Sequence, residues 1–165
     1  MAILLRGKTE CPICGRVIQA NDEVVLFPHF VVNEIDPLYP LSDTAGHLTC
    51  LSNDPLGRSM LAASEKFLAS TGPGKRTCVV CGEEVRDPEN YFLIGYLADP
   101  ACDPFSKFNC THLHKSHILK WKQADEFLSL ARAALIEGKW RGSALTEIIQ
   151  EIETGKSVSG SRHQP

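Results

Sequence analysis

Apolar residues recur at helical spacing in three stretches of the chain. Behind Asn53, Asp54 and Pro55, which favour a helix start, one face carries Leu56, Met60, Ala63 and Phe67. A second, longer face ends near Glu137 and Gly138 and is formed by Ile118, Trp121, Leu128, Ala131 and Leu135. A third helix is predicted over residues 144–153, where the apolar positions are Leu145, Ile148, Ile149 and Ile152. We interpret all three faces as core packing.

Stretches rich in β-forming residues precede the first two helices. Residues 17–18 and 23–32 flank the turn residues Asn21 and Asp22. Residues 84–85 and 91–97 flank Asp87 and Pro88 in the same way. Each pair of stretches predicts a β-hairpin, so the predicted fold class is α+β.

The two halves of the sequence repeat without a gap, in the register that carries Cys11 onto Cys78. The residues identical in this register include Cys11 and Cys78, Cys14 and Cys81, Gly15 and Gly82, Asp36 and Asp103, Pro37 and Pro104, Thr44 and Thr111, and His47 and His114. In the same register Cys50 falls on His117, so one metal-ligand type replaces another. We predict two tandem units, 1–70 and 75–138, joined by a linker at 70–74. A C-terminal helix, 143–153, and a disordered tail, 154–165, are predicted to follow.

Each half contains a Cys-x-x-Cys-Gly turn and a later pair of Cys or His residues. The turn places two thiolates on one side of the chain, and its glycine lets backbone amides point back at the sulfurs. The later pairs are spaced i and i+3, so they share a face of the first turn of a helix, where thiolate is favoured. The predicted zinc ligands are Cys11, Cys14, His47 and Cys50 in the first unit, and Cys78, Cys81, His114 and His117 in the second.

Four protein ligands close the coordination shell of zinc, which predicts two structural Zn2+ ions per chain and no catalytic one. In the second unit, Cys110 and His112 compete for the same positions, and local spacing does not choose between the candidates. The repeat favours His114 and His117, because they alone align with ligands of the first unit. Cys102 and Cys110, the two cysteines left outside the proposed ligand sets, are interpreted as ordinary thiols.

The amino-acid composition restricts the possible functions and the possible roles of the cysteines. The 165 residues are 43% hydrophobic and 22% charged, as in ordinary folded domains. A net charge of −3 argues against a protein that mainly neutralises phosphate. With seven cysteines and neither an export signal nor a membrane span, the sequence favours metal ligands over disulfides and predicts a cytoplasmic location.

A Cys-x-x-Cys knuckle, a β-hairpin and a helix whose first turn supplies two more ligands resemble the treble-clef zinc finger. The resemblance covers residues 8–70 and 75–138, and it implies the fold and the ligands named above. Treble clefs serve protein binding, nucleic-acid binding and catalysis, so the resemblance does not name a function. The long stretch from Cys14 to His47, and the equally long one from Cys81 to His114, imply an enlarged hairpin and loop in each unit.

Three functions compete at this point. A non-enzymatic adaptor that binds another protein suits the closed sites and the charge, and it is the preferred hypothesis. Nucleic-acid binding would use the lysines near the second site, which are Lys107, Lys115, Lys120 and Lys122. A solvated helix face with a buried Trp121 explains the same pattern without a nucleic acid. HNH nucleases also resemble a treble clef, but His29 is the only candidate base, and His47 is already assigned to zinc.

Overall fold

A computed structural model of the protein describes residues 2–72, 74–99 and 103–160, without the side chains of 156–160. The α+β class is confirmed, with two small antiparallel sheets and several helices. The chain divides into two compact units, Met1–Ala69 and Ser70–Pro165. The predicted linker therefore overlaps the start of the second unit. Across the described ranges, no helix combines the length and apolar character that a membrane span requires.

The first unit is built on a sheet of two short strands. Strand β1 (Val24–Leu26) pairs antiparallel with β2 (Ala45–His47), so that Val24 lies opposite His47. A 3-10 turn, Tyr39–Leu41, lies in the connection between them. Strand β2 runs directly into α1 (Leu48–Asn53), and α2 (Pro55–Thr71) follows after a single residue.

The second unit repeats this order and adds a helix. Strand β3 (Tyr91–Ile94) pairs antiparallel with β4 (Thr111–His114), across a connection that contains the 3-10 helix Pro104–Phe108. A second 3-10 helix, Lys115–Lys120, follows β4 directly. Helices α3 (Ala124–Ile136) and α4 (Ala144–Gly160) complete the unit.

The repeat register also relates the hydrogen bonding of the two units. Val24 opposes His47 in the first sheet, and Tyr91 opposes His114 in the second, which is the same register. The β-bridge across the first knuckle joins Glu10 to Val17, and its counterpart joins residues 77 and 84. The alignment of the two sequences is therefore also an alignment of the two backbones.

Each unit has its own apolar core. In the first unit, Phe30 stacks on Phe67 with ring centroids 5.0 Å apart. The second unit is richer in aromatic contacts, since four rings form one cluster: Phe105, Phe108, Trp121 and Phe127. Burying a large apolar side chain contributes about 1.5–3 kcal/mol, so this cluster is a major source of stability in the second unit.

The strand pairing differs from the predicted hairpins. Val17 does not pair with the 23–32 stretch but bridges back to Glu10 across the knuckle, and β1 pairs with the distant strand β2. The sequence of β2, Ala-Gly-His, has no β-branched residue, so propensity gave no signal for it. Every residue of β2 is nevertheless buried, which favours an extended chain paired on the sheet.

The second predicted helix also begins later than expected. The apolar pattern predicted one helix from Ile118 onward, whereas the chain is 3-10 helical to Lys120 and α-helical only from Ala124. Trp121 lies between them in an extended conformation, with φ −74° and ψ 106°. Its buried ring packs edge-on against Phe108, so aromatic packing interrupts the helix.

Helix α4 extends further than the predicted 143–153. It continues to Gly160, whereas residues from 154 onward were predicted to be disordered. In the extended part of the helix, Gly155 lies beside Ile118, since a Cβ at this position would be 3.4 Å from Cγ2 of Ile118, an ordinary van der Waals distance. Residues 161–165 lie outside the described residues.

Candidate metal centres

The first unit brings together the four side chains that the sequence predicted as ligands: Cys11, Cys14, His47 and Cys50. All four ligand atoms lie within 4.8 Å of one another. His47 Nδ1 is 3.5 Å from Sγ of Cys14 and 3.8 Å from Sγ of Cys50. Zinc binds sulfur at about 2.3 Å and nitrogen at about 2.0 Å, so a tetrahedral site separates these atoms by about 3.6 Å. The cluster therefore fits a zinc ion.

Two separate pieces of chain form this cluster. The knuckle is closed by a hydrogen bond from the Gly15 amide to the Cys11 carbonyl, and φ of Gly15 is 70°, a value that glycine adopts without strain. His47 ends β2 and is the N-cap of α1, which places Cys50 one turn into the helix. The pairing of β1 with β2 holds this junction against the knuckle.

A carboxylate outside the cluster orients the histidine. His47 Nε2 lies 3.0 Å from Oδ2 of Asp22, so the N–H at Nε2 donates to the carboxylate and Nδ1 faces the thiolates. The same carboxylate accepts a 2.6 Å hydrogen bond from the Gln19 amide, which is the main reason that the pKa of Asp22 is lowered. A carboxylate behind a histidine fixes its tautomer and increases its strength as a metal ligand.

The thiols of the first cluster differ in their acidity. The Arg16 guanidinium interacts with the exposed sulfur of Cys14 and lowers the pKa of that thiol to about 6. Burial raises the pKa of Cys50, and the neighbouring thiolates of Cys14 and Cys11 raise it further. Several negative sulfurs at one point repel each other, and a divalent cation relieves that repulsion.

The second unit forms an equivalent cluster from Cys78, Cys81, His114 and His117. Sγ of Cys78 is 3.6 Å from Nδ1 of His117, and Sγ of Cys81 is 3.6 Å from Nδ1 of His114. His114 is the N-cap of the 3-10 helix, and His117 lies one turn further on. The distances again fit a tetrahedral zinc ion.

Backbone amides favour the thiolate at this cluster. Burial opposes ionisation of Cys78, but the amides of His114 and Cys81 and the His117 ring outweigh burial and lower its pKa to about 6. The His114 amide lies 3.5 Å from this sulfur. The residue that aligns with Asp22 is Glu89, and the structure shows no bond between Glu89 and His114 in the described part of the chain.

The two competing residues lie outside the second cluster. His112 is buried, its Nε2–H donates to the Ser70 carbonyl at 3.0 Å, and its Nδ1 accepts from the Tyr91 hydroxyl at 2.8 Å. Cys110 has φ 56°, close to the φ of 59° at its counterpart Asp43, so it occupies a turn position. Burial raises the pKa of the Cys110 thiol. Cys102 lies outside the described residues.

The lysines near the second cluster fall into two groups. Lys107 pairs with Glu126, and Lys115 lies 3.4 Å from Glu151, so these two charges are balanced. Lys120 and Lys122 are exposed on either side of Trp121. His29, the candidate base of the nuclease hypothesis, belongs to neither cluster.

Sequence reasoning missed Arg16 and Asp22, the two residues that support the first cluster from outside. The sequence pattern indicates only a turn at Asp22. The repeat gave no signal for either one, because their counterparts are Glu83 and Glu89. The hydrogen bond to His47 identifies the role of Asp22.

Comparison with protein-family models, curated proteins and solved structures finds no match to this chain. The fold and the clusters define a class: an α+β protein with two Cys/His clusters that are compatible with two zinc ions.

Proposed function

We propose that the protein is a zinc-binding, non-enzymatic protein-interaction module that contains two structural zinc sites. The observation that carries this proposal is the closure of both clusters: each one gathers four ligand-type side chains around a single point. A tetrahedral zinc ion with four protein ligands has no open position for an activated water. The metal would therefore stabilise the fold, and the surface of each unit would carry the function.

A structural role also agrees with the way each cluster is assembled. Each joins a knuckle to a strand–helix junction that lies far along the chain, and the sheet between them has only two short strands. In units of this size, the apolar surface buried on folding barely offsets the chain entropy that is lost. A structural zinc ion contributes about 10 kcal/mol or more and couples these two segments.

The order of elements supports a treble-clef arrangement in both units. A knuckle, a strand pair and a helical turn carrying the last two ligands follow each other twice in the same register. We propose this arrangement as the architecture of the module. A cytoplasmic location, taken from the sequence, remains part of the proposal.

A protein partner is favoured over a nucleic acid by the distribution of charge. The net charge is −3, and two of the four lysines near the second cluster pair with glutamates. Trp121 is only 5% exposed, so its ring is not available to stack on a base. The exposed Lys120 and Lys122 are the specific feature that favours the nucleic-acid alternative.

The proposal is tested by affinity capture from a native lysate treated with nuclease, using zinc-loaded protein and the same protein stripped by a chelator. We expect a protein partner that survives nuclease treatment and is lost with the metal. Salt-sensitive capture of RNA or DNA in the untreated lysate, with no protein partner after nuclease, would support the alternative. A hydrolytic activity restored by zinc would contradict the non-enzymatic assignment.

A further inference from the structure

A cavity of about 350 Å³ lies beside the knuckle of the second unit. Its lining is formed by Val79, Val80, Lys120, Trp121, Lys122 and Gln123. The two valines are the residues between the knuckle cysteines, and the other four connect the 3-10 helix to α3. We call it the knuckle cavity. Its volume is at the low end of those that hold small ligands or a few side chains.

The charge of the knuckle cavity is positive and unbalanced. Lys120 and Lys122 are exposed, and neither forms an ion pair in the described part of the chain. Lys107 and Lys115 differ in this respect, because their charges are balanced by Glu126 and Glu151. Two unpaired ammonium groups at the rim of one cavity complement a carboxylate-bearing ligand.

The rest of the lining is largely apolar. Val79 is 55% exposed, which leaves an apolar surface on the knuckle side. Trp121 forms a wall, and its indole N–H is buried without a hydrogen-bond acceptor in the described structure. A ligand that carries both an apolar side chain and carboxylates matches this lining better than a phosphate backbone does.

The first unit has a cavity at a corresponding place, with a different set of charges. A cavity of about 420 Å³ lies beside the first knuckle, and its lining is formed by Ile13, Arg16, Thr49, Cys50, Asn53 and Asp54. In the repeat register, Asn53 takes the place of Lys120 and Asp54 takes the place of Trp121. The two cavities therefore share three lining positions, but among the described residues the first has one cation, Arg16, together with the carboxylate of Asp54, whereas the second has the two lysines and no acidic lining residue.

We propose that the knuckle cavity binds an acidic segment of a partner protein, with carboxylates at Lys120 and Lys122 and an apolar side chain against Val79. This inference rests on the proposed protein-interaction function and names the chemistry of the partner. Nucleic acid is disfavoured, because a phosphate backbone is usually held by many cations and by aromatic stacking. Among the described residues that line it, the cavity offers two lysines and one aromatic ring, that of the buried Trp121.

The test uses the zinc-loaded full chain and a labelled acidic peptide, Asp-Glu-Leu-Asp-Glu-Leu, with Asn-Gln-Leu-Asn-Gln-Leu as the neutral control. We expect the acidic peptide to shift the indole N–H resonance of Trp121 in NMR spectra, while that of Trp140, which does not line the cavity, stays in place. The neutral peptide should shift neither resonance.

Charge reversal sharpens the test. Lys120→Glu combined with Lys122→Glu should weaken peptide binding about tenfold or more, since two charge pairs are lost. Lys66→Glu combined with Lys75→Glu changes the net charge equally at exposed positions that do not line the cavity, and should alter the Kd by less than about twofold. Circular dichroism checks that both variants are folded.

Three results would overturn the proposal: an unmoved Trp121 resonance, equal weakening by the two charge-reversed variants, or displacement of the peptide by a single-stranded oligonucleotide that binds more tightly. The broader function is separable from this site. If the Lys120/Lys122 variant still captures the zinc-dependent protein partner as the wild type does, the interaction module stands and the cavity assignment fails.

Discussion

The two units share a backbone plan but support their clusters by different means. In the first, a hydrogen bond from His47 to Asp22 and the guanidinium of Arg16 act on the ligands from outside. In the second, these positions are glutamates, and α4 instead packs against the 3-10 helix that carries His117. The register of the strands and the knuckle therefore determines where each cluster forms. The residues that stabilise the ligands from outside the cluster differ between the two units.

The ligand types differ as well. The first cluster has three cysteines and one histidine, and the second has two of each. Thiolate is the softer ligand and suits zinc well, and a carboxylate behind a histidine strengthens it further. We therefore expect the first site to hold zinc more tightly and the second to exchange it faster.

Removing both metal ions should have the largest effect. Chelation removes about 10 kcal/mol or more from each site, so we expect both units to lose their strand pairing and knuckles. Both tryptophans, Trp121 and Trp140, lie in the second unit, so their fluorescence reports on that unit, while circular dichroism reports on the whole chain. Adding zinc back should restore both signals. An apo protein with a native spectrum and a cooperative thermal transition would show that the metal is not structural.

Removing a single ligand from the second cluster tests that site independently of the first. His114→Ala should lower the zinc content from about two ions per chain to about one, because three remaining ligands bind far more weakly. Cys110→Ser is the matched control and should keep both ions, since Cys110 lies at a turn outside the cluster. Elemental analysis of the purified variants measures this. If Cys110→Ser lost one ion and His114→Ala kept both, Cys110 and not His114 would be a ligand of the second site.

Truncation in α4 tests the packing support of the second unit. Ile152 is fully buried, so Ile152→Ala should lower the free energy of unfolding by about 2–5 kcal/mol. The exposed Gln150 of the same helix provides the control, since Gln150→Ala should change it by less than about 0.5 kcal/mol. Urea unfolding followed by tryptophan fluorescence gives both values. Equal effects would mean that α4 contributes little to this unit.

The smallest expected effect concerns the carboxylate behind His47. Asp22→Ala should weaken zinc binding at the first site by about 10–100-fold, the usual cost of losing such a partner. Glu89→Ala, at the equivalent position of the second unit, should leave the second site unchanged, because in the described part of the chain no hydrogen bond or ion pair joins Glu89 to His114. Competition with a chromogenic chelator measures both affinities. If the two substitutions act alike, the proposed asymmetry between the units is wrong.

The sequence was most informative where chemistry imposes spacing. Two Cys-x-x-Cys turns and a single ungapped repeat register were enough to choose His114 and His117 over Cys110 and His112. The structure brings the chosen residues together. The α+β class followed from the alternation of β-rich stretches and helical apolar faces.

The strand pairing, the start of α3 and the role of Asp22 could not be predicted, because they depend on tertiary contacts that local sequence patterns do not encode. Strand β2 was missed because its residues have weak strand propensity and are extended only through pairing with β1. The late start of α3 follows from the packing of Trp121 against Phe108. Asp22 was missed for a similar reason: its partner His47 is distant in the sequence and becomes its neighbour only in the folded unit.

Native mass spectrometry of the intact chain, purified without chelator, tests the central claim most directly. We expect one dominant species that carries two zinc ions, since two complete four-ligand clusters are present. Mild chelation should first produce a one-zinc species, and in the His114→Ala background that intermediate should be the starting state. A wild-type chain that carries one zinc ion or none would contradict the account.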